Sequence, residues 1–280
     1  MNPSRRRLLA ALGASALTVP AAQAAQAARA ADSAADAERW QSIRQGLFAD
    51  RKISEDAAGI IDLETPVRAA DAAVVPIAIR TQLAQTPERY IRKVWLVIDK
   101  NPSPVGASFS FTPDSGRAEI ETRVRIEEYT NVRAIAELND GSLVMRTRYV
   151  KASGGCSAPA GKDLAEALAS LGKMKLRVEG EVVAGKPALA QLMVSHPNVS
   201  GLAIDQLTRL APTPHFVRSI DVSYAGKPVM RADVDFTISE NPVVRFWFMP
   251  NGSGELRARV VDSNDLKFES ALAVQAKSGA

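Results

Sequence analysis

The chain has 280 residues, 24% charged and 46% hydrophobic, with 35 Lys and Arg against 31 Asp and Glu. Four of the arginines lie in residues 1–30, which hold no acid, so beyond residue 30 basic and acidic residues number 31 each. That balance removes the nucleic-acid and membrane-surface readings invited by a pI near 9.3, because no basic run with interleaved aromatics survives it.

Ser4-Arg5-Arg6-Arg7-Leu8-Leu9 is a basic region and Leu8 to Val19 a short apolar core. Ala22-Gln23-Ala24, Ala25-Gln26-Ala27 and Ala28-Arg29-Ala30 are three small-x-small cleavage candidates. Residues 1–30 therefore read as a signal peptide of twin-arginine type, with Sec export as the alternative, and imply a periplasmic protein. The apolar run is too short to span a bilayer, so no membrane anchor is expected after cleavage.

Residues 31–150 predict a short amphipathic helix with Trp40, Ile43 and Leu47 on one face, then strands separated by proline, glycine or aspartate. These are Ile60–Leu63, Val74–Ile79, Val94–Ile98, Ala107–Phe111, Ala118–Ile126, Val132–Leu138 and Leu143–Val150. In the fifth, Ile120, Thr122, Val124 and Ile126 share a face. Asn139-Asp140-Gly141-Ser142 marks a hairpin whose Asp-Gly pair is suited to positive φ.

The pattern stops at Lys151 and resumes after Lys175. Residues 151–175 read as a linker containing the only cysteine, Cys156, and a short helix capped by Asp163 and stopped by Gly172. Residues 176–280 repeat the all-β logic, with strands at Lys175–Val183, Ala188–Ser195, Phe216–Tyr224, Pro228–Ile238, Val243–Met249, Gly254–Val261 and Leu266–Val274. The expected fold is all-β: two immunoglobulin-like β-sandwich domains with a short N-terminal helix and a flexible cysteine-bearing linker. Lys100-Asn101-Pro102 before Phe109-x-Phe111, and Glu240-Asn241-Pro242 before Phe246-x-Phe248, hint at internal duplication.

A lone thiol in an exported protein forms no internal disulfide. It is a passive buried side chain, an intermolecular partner or a reactive group. The run Ala152-Ser153-Gly154-Gly155-Cys156-Ser157-Ala158-Pro159-Ala160-Gly161 is small, polar and glycine-rich. With no apolar period to bury the sulfur, an accessible thiol on a mobile loop is expected. Gly154 and Gly155 remove side chains on one side of it, while Lys151 and Lys162 would favour the thiolate if they fold nearby.

Two sets of motifs carry a family resemblance. The first is Ala73-Val74-Val75-Pro76-Ile77, Asp99-Lys100-Asn101-Pro102-Ser103-Pro104, Thr122-Arg123-Val124-Arg125 and Val150-Lys151-Ala152-Ser153-Gly154-Gly155-Cys156. The second is Ser195-His196-Pro197, Gly226-Lys227-Pro228-Val229, Ser239-Glu240-Asn241-Pro242 and Phe246-Trp247-Phe248. In this order they resemble the two subunits of the SoxYZ sulfur carrier of thiosulfate oxidation, joined in one polypeptide and similar to the quinoprotein dehydrogenase-associated group.

The resemblance implies a carrier rather than an enzyme. Cys156 is the implied covalent attachment point for sulfur intermediates, and Gly154 and Gly155 give its arm freedom. No cofactor is implied beyond a covalent sulfur adduct on Cys156. The implied partners are periplasmic sulfur-oxidising enzymes and c-type cytochromes, or a quinoprotein dehydrogenase system. In the family the arm is a free C-terminus with glycines on both sides of the cysteine; here Ser157-Ala158-Pro159 follow and the chain continues.

Other candidates are thin. His196 and His215 lie beside prolines with no second cysteine or clustered acids, so no metal site is expected. Trp95, Trp247, Phe109, Phe111, Phe246 and Phe248 read as core. No nucleophile elbow, phosphate loop or dinucleotide fingerprint is present. Two functions remain: a covalent carrier on Cys156, or a non-covalent accessory protein of a periplasmic dehydrogenase.

Overall fold

The structure, a computed structural model, describes residues 21–159, 164–204 and 209–279. The twin-arginine run, its apolar core, Lys162 and the Asp163 cap lie outside the described residues. The helix expected around Trp40 is α1 (Ala21–Phe48). It begins earlier than Trp40 suggests because alanine, which fills its first half, has the highest helix propensity.

The strands follow as β1 (Ile53–Ser54), β2 (Ile61–Glu64), β3 (Val75–Thr81), β4 (Ile91–Ile98), β5 (Val105–Phe111), β6 (Ile120–Val124), β7 (Thr130–Leu138) and β8 (Leu143–Val150). After helix α2 (Leu164–Ala169) come β9 (Met174–Glu179), β10 (Ala188–Val194), β11 (Val217–Tyr224), β12 (Lys227–Val234), β13 (Val243–Phe248), β14 (Gly254–Asp262) and β15 (Lys267–Val274). Only β1, a two-residue parallel rung beside β8, has no counterpart in the sequence reading. At the β7–β8 turn Gly141 alone takes positive φ (85°), while Asp140 Oδ1 accepts the Ser142 N–H at 2.8 Å. The turn is an Asx-stabilised loop with glycine in the left-handed position, which differs from the expectation that the Asp-Gly pair as a whole supplies the positive φ.

The immunoglobulin-like sandwich is present twice, edge to edge. One sheet runs β1-β8-β7-β4-β5-β12-β11-β14-β15 and the other β2-β3-β6-β13-β10-β9. Each strand from β2 to β8 therefore has its counterpart seven strands later, and both sheets continue across the seam through β5–β12 and β6–β13. Pairing these edges satisfies main-chain groups that two separate sandwiches would leave open. The duplication is real in topology, but the Asn-Pro motifs do not mark it. Asn101-Pro102 lies between β4 and β5, and Asn241-Pro242 between β12 and β13.

A single apolar core extends through both halves, with Phe109, Ile120, Phe246 and Phe248 fully buried. The near-continuous apolar run of β4 is buried on both faces, as such runs require. On its outer face α1 lays Trp40 and Phe48 over Val97, Ile135 and Met145. Phe48 meets Trp95 edge to face at 5.0 Å, and the Arg133 guanidinium lies 4.1 Å from the Trp40 ring centre. The corresponding face of the second half carries ion pairs instead, Arg231 with Asp221 at 2.9 Å and Arg259 with Glu269 at 3.0 Å, and needs no covering helix.

The register places the β2–β3, β4–β5, β6–β7, β10–β11, β12–β13 and β14–β15 connections at one end of the sandwich, together with the segment after β8. Cys156 belongs to this end.

Candidate functional site

After β8 the chain is held back against the first half. The Lys151 N–H donates to Val67 O at 2.9 Å and the Ala69 N–H to Lys151 O at 3.1 Å. The next residues pair with the backbone that continues β6: the Gly154 N–H donates to Glu127 O at 2.8 Å and the Gly155 N–H to Ile126 O at 2.9 Å. Both glycines are used. Gly154 has φ +80° with nothing within 4 Å of an added Cβ, whereas a Cβ on Gly155 would lie 2.0 Å from the Ala72 carbonyl oxygen. The first requires the left-handed conformation and the second the missing side chain.

The Glu127 carboxylate closes a clasp on the cysteine. Its Oε2 accepts the N–H of Cys156 at 2.8 Å and of Ser157 at 3.1 Å, and its Oε1 accepts the Ser157 hydroxyl at 2.7 Å. From the second half, the Ser200 hydroxyl donates to the Cys156 carbonyl at 2.7 Å. The cysteine is thus gripped from both halves.

Cys156 is 0% exposed, which corrects the expectation of an accessible thiol on a mobile loop. The segment has no apolar period of its own, but Ala72, Ile126 and the loop around Ser200 enclose it, and the carboxylate satisfies the polar backbone that enclosure would strand. Burial pushes the thiol up to about 12, helped by the Glu127 carboxylate and opposed by the Arg125 guanidinium. The docked cysteine is a protonated thiol at neutral pH. Lys151, expected to favour the thiolate, is exposed and has no part in this balance. The cation that does is Arg125, 7% exposed, whose Nη1 donates to Phe236 O at 2.6 Å and Ile238 O at 2.9 Å.

Ser200 is positioned by the Ser-His-Pro loop. Asn198, with φ 43°, donates its side-chain amide to Ile238 O at 3.0 Å and accepts the Val217 N–H at 3.0 Å. Its own N–H donates to His196 Nδ1 at 3.0 Å. Behind it, His196 Nε2, His215 Nε2 and an Asp262 oxygen converge within 4.8 Å of one another, a cluster that residues so far apart in sequence do not announce. The spacing suits a cation but the tautomer does not. Nδ1 of His196 accepts a hydrogen bond, so the ring proton sits on Nε2, facing Asp262 Oδ2 at 3.5 Å. His215 Nε2 is 2.8 Å from the same oxygen.

Burial, with His215 alongside, pulls His196 down to about 4. Burial alone would raise Asp262, but His215 and the Leu266 and Asn264 N–H groups outweigh it and hold the carboxyl below its ordinary value. Below the ordinary histidine pKa of about 6.5 the unfolded chain takes up a proton that folded His196 refuses. Stability is therefore lost as pH falls from about 6.5 toward 4, by at most roughly 1.4 kcal/mol per pH unit from this group. Urea unfolding at pH 7 and pH 5, compared with His196→Gln, measures it: the variant is expected to have the shallower pH dependence, and equal slopes would refute the assignment.

The family model described as sulfur oxidation protein SoxY matches residues 44–156, and that described as sulphur oxidation protein SoxZ matches residues 176–273. The sulfur carrier protein SoxY from Chlorobium limicola f thiosulfatophilum is 24% identical, over 43% of this chain and 97% of that one, with TM-score 0.37. Superoxide reductase (neelaredoxin) from Ignicoccus hospitalis is 20% identical over 42% of this chain and 89% of that one, at TM-score 0.29. The fibronectin(III)-like modules of CbhA from Clostridium thermocellum are 11% identical over 78% and 95%, at TM-score 0.24. No curated protein sequence matches the chain. With a SoxY match ending on Cys156 and a SoxZ match opening twenty residues later, both on immunoglobulin-like sandwiches, the chain belongs to the fused SoxYZ-like sulfur-oxidation proteins.

Proposed function

We propose that this protein is a periplasmic covalent carrier that takes up sulfur intermediates on Cys156 and presents them to partner enzymes, as in thiosulfate oxidation. The observation that carries the reading is the position of the chain's only cysteine, at the last residue of the SoxY match and in contact with the SoxZ half through Ser200. The chemistry asks for a thiol that a client can draw out. When thiosulfate is loaded, a sulfur–sulfur bond forms to Cys156 Sγ, the thiol proton leaves, and two electrons pass to a partner electron carrier of the c-type cytochrome class. The protein supplies the thiol and its presentation; the partners supply the catalysis.

Loading requires the Glu127 clasp to open, because a thiol held near pKa 12 provides almost no thiolate. Apolar side chains supply a docking rim around that event. Val67 (73% exposed), Leu210 (70%), Ile204, Leu202, Val74 and Tyr129 all stand exposed on the connections at the cysteine end.

Intact-protein mass spectrometry on material from the native host tests the proposal. A mass increment lost on thiol reduction and absent from Cys156→Ser is expected. The burial of Cys156 favours a second reading, a non-covalent accessory protein of a quinoprotein dehydrogenase system, with an inert structural thiol. An unmodified mass, together with full function of the serine variant, would establish that reading and end the first.

A further inference from the structure

Arg125 is the group that the motif Thr122-Arg123-Val124-Arg125 leaves unexplained. It follows β6, lies within the protein at 7% exposure, and two backbone carbonyls, those of Phe236 and Ile238, fix its Nη1. Among the described residues its hydrogen bonds all run through Nη1 and it makes no ion pair, while its Nε and Nη2 are not among the buried atoms left without a partner, so that edge is open to solvent or a ligand. A buried guanidinium held on one edge and open on the other is an unusual use of the residue, since its fork geometry suits bidentate anions. The guanidinium is near enough to Cys156 for the two charges to act on each other, and their backbones are adjacent. Gly155 donates to the carbonyl of Ile126, the residue after Arg125, and a Cβ on Gly155 would come within 2.8 Å of the Ile126 nitrogen.

We infer that Arg125 recognises the charge of what Cys156 carries, selecting anionic sulfur groups ending in a sulfonate over neutral adducts of similar size. This rests on the carrier reading above. Glu127, Asp235 and Glu240 are the acids around Arg125 and Cys156, and Arg125 is the cation that faces them. An anionic adduct leaving the Glu127 clasp remains tethered at Gly155 and moves from a carboxylate toward a guanidinium. A neutral adduct gains nothing from the move.

Two small disulfide-type reagents of different charge test this on the full chain. Tetrathionate is attacked by the Cys156 thiolate at a central sulfur; the new bond gives Cys–S–S–SO3⁻, the old one breaks, and thiosulfate leaves with the electron pair. Dithiodipyridine, uncharged, reacts by the same exchange and releases a pyridine thiolate. Both need the clasp to open, so the ratio of their rates cancels opening and reports recognition. Arg125→Gln is expected to lower the tetrathionate-to-dithiodipyridine ratio about tenfold and Arg125→Lys by less than about threefold, with added salt lowering the ratio in the wild-type protein. An unchanged ratio in a folded Arg125→Gln, or equal loss of both rates, assigns Arg125 to packing alone and overturns the inference. Should the glutamine variant fail to fold, a wild-type ratio indifferent to salt overturns it equally. A changed ratio without any adduct in native material would remove the carrier reading and leave the recognition standing; the reverse pattern would remove only the recognition.

Discussion

Replacing Glu127 with alanine is expected to raise the rate at which Cys156 reacts with iodoacetamide at pH 8 by about ten- to a hundredfold. Three hydrogen bonds from the segment end on this one carboxylate, and a bond to a charged group is worth roughly 1.5–3 kcal/mol. Alkylation requires opening and then ionisation, so the closed population limits it. While the thiol is held at about 12, only on the order of one molecule in ten thousand carries a docked thiolate at pH 8. Losing the carboxylate weakens the clasp and removes the charge that opposes ionisation. Glu127→Gln retains an acceptor for the two N–H groups and is expected to have a smaller effect, and Ser200→Ala, which releases the hydrogen bond from the second half, a smaller one again. Alkylation followed by mass spectrometry gives each rate; a Glu127→Ala protein as slow as wild type would mean that the carboxylate does not hold the thiol closed.

Gly155→Ala should be the most disruptive single methyl group at this end of the molecule. The added carbon would lie 2.0 Å from the Ala72 carbonyl oxygen, 2.5 Å from its carbon and 2.8 Å from the Ile126 nitrogen, all backbone atoms that no rotamer change can move. The segment must leave its place, and Cys156 is expected to react more than about a hundredfold faster, approaching an unstructured cysteine. Gly154→Ala is the control, because the space around that position is empty and only its φ of +80° opposes a side chain. A left-handed non-glycine residue costs about 1–2 kcal/mol, or roughly five- to thirtyfold in opening. Unequal effects of two adjacent alanines distinguish close approach from chain freedom. Equal effects would show that Gly155 is not packed against Ala72.

Much of the fold was legible because strand alternation and turn residues are local signals. The face of Ile120, Thr122, Val124 and Ile126 is buried as the alternation requires, and each half follows the immunoglobulin-like order. The seam was not legible. β5 and β12 read as ordinary strands of their own halves, and their pairing joins Phe111 to Met230 across more than a hundred residues. The His196, His215 and Asp262 cluster escaped for the same reason, since each residue taken alone resembles a turn residue.

By itself the sequence determined that this chain is all-β, duplicated in architecture, and endowed with a single cysteine after a SoxY-like half. Those properties depend on composition, period and order, which a chain carries before it folds. Only the tertiary structure decided the state of that cysteine. Its burial and its protonation arise from Glu127, Ala72 and Ser200, against the opposing charge of Arg125, all groups that reach it from other connections at the same end of the sandwich. A glycine pair that reads as freedom in one dimension serves in three as one left-handed turn and one close contact. Enclosure by neighbours distant in the chain leaves no periodic trace in the segment enclosed.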